Sequence, residues 1–86
     1  MPYIRPELRG PLDKHINLLM KREDHDIGSI NYMITRICHE YIKHKGPNYA
    51  RYNDIMGVLS CVGNEMYRRK IAEYEDLKIE ENGDVV

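Results

Sequence analysis

From Tyr52 to Ile79 the chain reads YNDIMGVLSCVGNEMYRRKIAEYEDLKI. The stretch has no proline, and Ile55, Val58, Leu59, Val62 and Met66 recur every three or four residues. That spacing places them on one face of a helix. Asn53-Asp54 supplies an expected N-cap, so the helix is expected to start there. Gly57 and Gly63 each cost a helix up to about 1 kcal/mol relative to alanine. Their presence predicts close approach by a neighbouring backbone or a ligand. Tyr67, Ile71 and Tyr74 form a second stripe, offset from the first. Two apolar stripes on one helix predict two partners, so this end reads as an oligomer contact. Glu73, Glu75 and Asp76 are placed to pair with arginines of another subunit.

The rest of the chain yields two shorter helices. Residues 1–10 read as an arm, because Pro2, Pro6, Gly10 and Pro11 oppose one continuous helix; Pro6 to Arg9 could form a short turn. Pro11 suits a helix first turn, and Leu12, Ile16, Leu19 and Met20 share a face, predicting a helix over 11–22. His15 and His25 are expected in solvent. Ser29 is the expected N-cap of a helix over 29–45, with Ile30, Met33, Ile34, Ile37, Cys38, Tyr41 and Ile42 as its stripe. Lys43, His44, Lys45 and Gly46 are a stop signal. Asn82-Gly83 predicts a C-terminal turn or a small hairpin.

Composition bounds the class. A chain of 86 residues makes one domain, 1–86, which buries only about two-thirds of its unfolded surface. Oligomerisation is the natural supplement to so small a core. The formal net charge of −1 gives no global basic field, so nucleic acid is not the expected partner. No segment approaches a membrane span, and the N-terminus lacks the apolar run of a secretion signal. A cytoplasmic protein with no membrane association is expected. Cys38 and Cys61 lack metal spacing and read as small buried thiols. The chain has seven tyrosines but neither phenylalanine nor tryptophan. Tyrosine hydroxyls want partners, which suits ligand pockets and subunit contacts.

No residue set meets the requirements of catalysis. There is no glycine-rich phosphate loop and no nucleophile elbow. Cys38 and His39 are adjacent on a helix and point apart. Helix 2 offers only Glu40 toward a metal-binding carboxylate set. The expectation is a non-enzyme with no catalytic residue, no metal and no cofactor.

The polar residues instead suggest binding. Arg51, Tyr49 and Tyr52 flank the expected start of the third helix, where free backbone N–H groups and the helix dipole favour an anion. Arginine with tyrosine beside such a terminus suits a nucleotide, with phosphate on the N–H groups and guanidinium and the base on a ring. On this reading Arg51, Arg68 and Arg69 hold phosphates. Tyr49, Tyr52 and Tyr67 line the base and sugar, while Asn31, Asn53 and Glu65 hydrogen-bond polar edges. Tyr32 and Arg36 lie on the polar face of helix 2 with Asn31, Thr35 and His39, a possible pocket wall. Asparagine and threonine are mediocre helix formers, which adds to that reading.

Three segments, PYIRPELRGPLD, GSINYMITRICHEYI and YNDIMGVLSCVGNEMYRRKIAEYEDLKIEENGDV, resemble a family of small uncharacterised proteins encoded by bacteriophages and bacteria. The similarity covers nearly the whole chain. It implies a small helical fold and a phage or prophage setting, with the host cytoplasm as the compartment of a phage-encoded copy.

The combined expectation is an all-α, three-helix domain with a long third helix, an N-terminal arm and a short C-terminal turn or hairpin, assembled as a homo-oligomer. The expected function is non-enzymatic binding of a small phosphorylated, nucleotide-type ligand. In a phage setting its sharpest form is sequestration of a nucleotide signal of host immunity. The alternative is a structural or protein-interaction module without a small-molecule ligand.

Overall fold

The computed structural model describes residues 1–86 and contains helices and no strand. Helix α1 spans Pro6–Met20 and α2 spans Ile27–Lys45. Helix α3 covers residues 49–82, 34 residues in all, as a regular leg Tyr49–Met66, a π-turn Tyr67–Ile71 and a second leg Ala72–Asn82. The chain groups into two compact units, residues 3–55, and residues 1–2 with 56–86.

In the unit 3–55, α1 starts earlier than the proline pattern suggested. The expected arm shrinks to residues 1–5, and the Pro6 turn is the first turn of α1. Pro6 occupies the start of the helix, where its missing N–H costs nothing. Pro11 lies inside the helix. Proline disfavours a helical residue before it mainly by clashing with that residue's Cβ and N–H. Here that residue is Gly10, which has no Cβ. The helix ends at Met20, where Lys21 N–H bonds the Leu18 carbonyl at 3.4 Å.

The start of α2 is also a correction. Its N-cap is Asp26, and Ser29 is the third helical residue. The two reciprocate: Ser29 N–H donates to Asp26 Oδ1 at 2.8 Å, and Asp26 N–H donates to Ser29 Oγ at 3.1 Å. This capping box satisfies two otherwise orphaned donors. His25, expected in solvent, is half-buried and joins the two helices. Its Nε2 lies 2.6 Å from the Leu19 carbonyl and its Nδ1 lies 3.3 Å from Ser29 Oγ.

Helix α2 stops at Gly46, with φ 91° and ψ 142°, as the stop signal predicted. Only glycine adopts such a conformation without strain. Its N–H bonds the Ile42 carbonyl at 2.8 Å. The next helix begins at once. Asn48, rather than Asn53, caps α3: its Oδ1 accepts from Arg51 N–H at 2.8 Å and its carbonyl from Tyr52 N–H at 3.1 Å. Arg51, Tyr52 and Asn53 are therefore helical residues and not part of a loop.

In the unit of residues 1–2 with 56–86, the π-turn changes how the two apolar stripes relate. A π-turn takes in about one extra residue, so the second leg is set back by about 100° relative to a continuous α-helix. The offset stripe is thereby returned. Ile71, Tyr74 and Leu77 come back toward the line of Leu59, Val62 and Met66. The Glu75 carboxylate, beyond this turn, raises the pKa of Tyr67. Lys78 lies 5.5 Å from the Tyr74 ring centroid and 3.0 Å from Glu81. The helix closes at Gly83, with φ 91°, whose N–H bonds Ile79 at 2.8 Å. The chain end carries this turn and no hairpin.

Neither unit buries a side chain fully. In the first, Ile30, Met33, Cys38, Ile42 and Ile55 reach half burial. Cys61 is exposed and Cys38 half-buried, so neither is the buried thiol expected. A Cβ added to Gly57 or Gly63 would meet nothing within 4 Å. Within their own unit, nothing makes the close approach those glycines suggested. No helix is long and apolar enough to cross a membrane.

Candidate functional site

The C-terminal turns of α2 and the first turns of α3 form a cleft of about 430 Å³, lined by Cys38, His39, Ile42, Lys43, Pro47, Tyr52 and Ile55. Three facts of sequence produce it. His39 and Lys43 are one turn apart on α2 and so share a face. Gly46 ends one helix and Asn48 caps the next, with only Pro47 between them, so the connection is short. Tyr52 comes one turn after Asn48, which brings its ring to the same corner. The volume falls within the usual span for small-molecule sites, about 300–1,000 Å³. The walls are apolar except for the His39 imidazole, the Lys43 ammonium and the Tyr52 hydroxyl.

Arg51 closes the base of this corner. Its Nη1 donates to the Gly46 carbonyl at 3.0 Å, and the residue is half-buried. The bond satisfies the carbonyl at the C-cap of α2. One arm of the fork expected to hold phosphate thus fastens the two helices together. Tyr49 is 85% exposed and Asn53 is exposed, both on the first turns of α3.

Asn31 and Tyr32 line a different, shallow depression of about 460 Å³ with Ile27, Gly28 and Thr35. Thr35 Oγ1 donates to Asn31 Oδ1 at 3.2 Å. The two mediocre helix formers satisfy each other, one turn apart. Arg36 sits 3.5 Å from Glu40, which is also 3.5 Å from His44. A third depression, about 580 Å³, is lined by His15, Leu18, Leu19, Arg22, His25 and Met33. Beside it Arg22 makes a two-point bond to Asp24, at 3.0 and 2.8 Å. The guanidinium holds the Asp24 carboxyl below the usual range.

In the second unit, Glu65 and Arg68 line a space of about 210 Å³ with Met1, Pro2, Cys61 and Asn64. Arg68 Nη2 lies 3.2 Å from Glu65 Oε1, the pairing expected from their spacing. Tyr67 turns to Glu75, whose hydrogen bond and charge raise the Tyr67 pKa above its ordinary value. Arg69 is exposed.

The expected site residues are thus distributed. Within residues 3–55, Asn31 and Tyr32 share one depression, Tyr52 lines another cleft, and Arg36 is held by Glu40. Glu65 and Arg68 meet in the other unit. Lys43 is the cleft cation that sequence reasoning misses, because it reads as a helix stop. His39 reads as part of a wall with Asn31 and Thr35, and the structure places it in the cleft with Lys43 instead. The available signal was the one-turn spacing of His39 and Lys43, just ahead of a corner that carries Tyr52. No three His, Cys, Asp or Glu side chains gather as a metal set.

Fold and clefts define a small all-helical protein with an aromatic and cationic corner. Residues 1–85 match the family DUF6899, a domain of unknown function, and the chain belongs to that family. Comparison with curated proteins and with solved structures finds no match.

Proposed function

We propose that the protein binds a small anionic, phosphorylated ligand of nucleotide type at the α2–α3 corner, without chemistry. The observation that carries this reading is the cleft that gathers Lys43, His39 and the Tyr52 ring beside the start of α3. Lys43 supplies a point charge for phosphate, and His39 adds a donor. Tyr52 supplies a face for a base, a contact worth about 1–3 kcal/mol in nucleic-acid sites. Tyr49, one turn before Asn53 and exposed, can close over the mouth. The bacteriophage version, sequestration of a nucleotide signal of host immunity in the host cytoplasm, draws on the resemblance of the chain to phage-encoded proteins together with this chemistry.

A thermal-shift screen with cyclic dinucleotides, ADP-ribose derivatives and nucleoside phosphates tests it. At least one should raise the melting temperature of the wild-type chain, and Lys43→Ala and Tyr52→Ala should abolish the shift. Silence of every compound at millimolar concentration would remove the proposal, as would a shift that both variants keep.

A second reading, an interaction module without a small ligand, is favoured by a separate observation. The chain leaves Leu59, Val62, Met66, Ile71, Tyr74 and Leu77 exposed on α3. Under that reading the stripe meets protein, and nucleotides leave stability unchanged.

A further inference from the structure

We infer that the stripe of α3 beyond Met56 is covered by a second copy of this chain, lying antiparallel. The inference rests on the interaction reading and is independent of the ligand cleft.

The apolar surface is continuous. Leu59, Val62 and Met66 on the first leg, and Ile71, Tyr74 and Leu77 on the second, are between 37% and 58% exposed. Without the π-turn the second set would lie about 100° around the helix from where it does. The turn at Tyr67–Ile71 thus makes one seam from two stripes. Residues at three- and four-residue spacing along one line are what a helix pair uses as knobs. The opposite side of the helix is the side near Met1 and Pro2, which line a space with Cys61, Asn64, Glu65 and Arg68. The seam is the face without that cover.

Charge selects both occupant and direction. Three consecutive cations, Arg68, Arg69 and Lys70, precede a stretch from Glu73 to Glu81 with five carboxylates and one lysine. Arg69, Lys70, Glu73 and Asp76 take part in no ion pair within the chain. A parallel, in-register copy would set cations against cations and carboxylates against carboxylates. An antiparallel copy with its two-fold axis near Ala72 sets each basic block against the acidic block of the other. One helix carries both halves of this match, so a second identical chain satisfies it twice. Such an interface is self-complementary, as two-fold symmetry requires.

The test uses the full chain. Sedimentation should show self-association that weakens as salt rises, because screening removes attraction between opposite charges. Val62→Asp with Leu77→Asp should abolish it. In a Cys38→Ala, Cys61→Ala background, a spin label at Asn82→Cys should report a separation of about 30 Å, from a rise of 1.5 Å per residue on either side of the axis. A parallel pair would bring the labels to about 10 Å, the spacing of packed helices. A wild-type chain that stays monomeric at high concentration would overturn both this inference and the self-association half of the interaction reading. Association that strengthens with salt, or labels about 10 Å apart, would overturn the antiparallel arrangement while leaving self-association standing. Unchanged assembly of the Val62→Asp, Leu77→Asp chain would overturn the choice of face, and the label distance decides the matter if that variant does not fold.

Discussion

The Glu75 carboxylate acts on the phenol of Tyr67 from two turns further along the same helix, past the π-turn that Tyr67 opens. In an uninterrupted α-helix, residues eight apart lie about 80° apart around the axis. The extra residue of the turn brings them closer to one line. The approach of the two side chains therefore depends on the π-turn.

That dependence has a pH signature. The hydrogen bond to Glu75, and the charges of Glu75 and Asp76, favour the neutral phenol and raise the Tyr67 pKa above 10.0. A raised pKa means that the contribution to stability is complete below the unfolded value, near 10. It is lost as pH rises through the higher folded value. Phenolate absorbance titration of wild type against Tyr67→Phe should place the Tyr67 transition above the ordinary tyrosine value, and Glu75→Gln should bring it down. A Tyr67 that titrates at the ordinary tyrosine value would show that Glu75 does not act on it in solution.

Gly46 stands at φ 91°, and a Cβ there would meet only Arg51 Nη1 at an ordinary 3.6 Å. Space is adequate and the backbone conformation is not. Gly46→Ala should destabilise the chain by about 1–3 kcal/mol. Denaturant unfolding checks this. An effect near zero would mean that the corner can relax to negative φ.

The Asp26–Ser29 box should behave as a unit. Asp26→Ala and Ser29→Ala should each cost about 1 kcal/mol. The double variant should cost less than their sum, because either change breaks the reciprocal pair. Melting temperatures of the three variants measure the coupling, and strict additivity would argue against the box.

Pro11 leaves the Glu7 carbonyl without the bond a helical N–H would provide. Pro11→Ala supplies that N–H and should raise helicity and melting temperature, by up to about 3 kcal/mol in helix stability. Circular dichroism would show it. A loss of helicity would mean that the proline is needed to hold the start of α1.

The three helices were legible because their stripes repeat at helical spacing over three or more turns. Their ends were less so, for local reasons. Asp26 and Ser29 are both good caps, as are Asn48 and Asn53, and residue type alone does not choose between them. Structure chooses Asn48 because Arg51 reaches back to Gly46 from there. Pro11 reads as a helix start unless the missing Cβ of Gly10 is considered. The π-turn was not legible: the offset stripe reads as a second partner, and only the structure shows that an inserted residue returns it toward the first. The site was least legible. Arg36, Arg51 and Arg68 read as ligand cations, but each already has a partner nearby in sequence, at Glu40, Gly46 and Glu65. Lys43 reads as a helix stop and yet lines the cleft.

The corner fastened by Arg51 and Gly46 divides α2 into unequal lever arms. Lys43 lies three residues from Gly46, about 4.5 Å along the α2 axis, and Ile27 at the far end lies about 28 Å away. A rotation of about 10° at the corner would move Lys43 by less than about 1 Å and Ile27 by about 5 Å. A cleft this near the corner would thus keep its geometry under such a rotation.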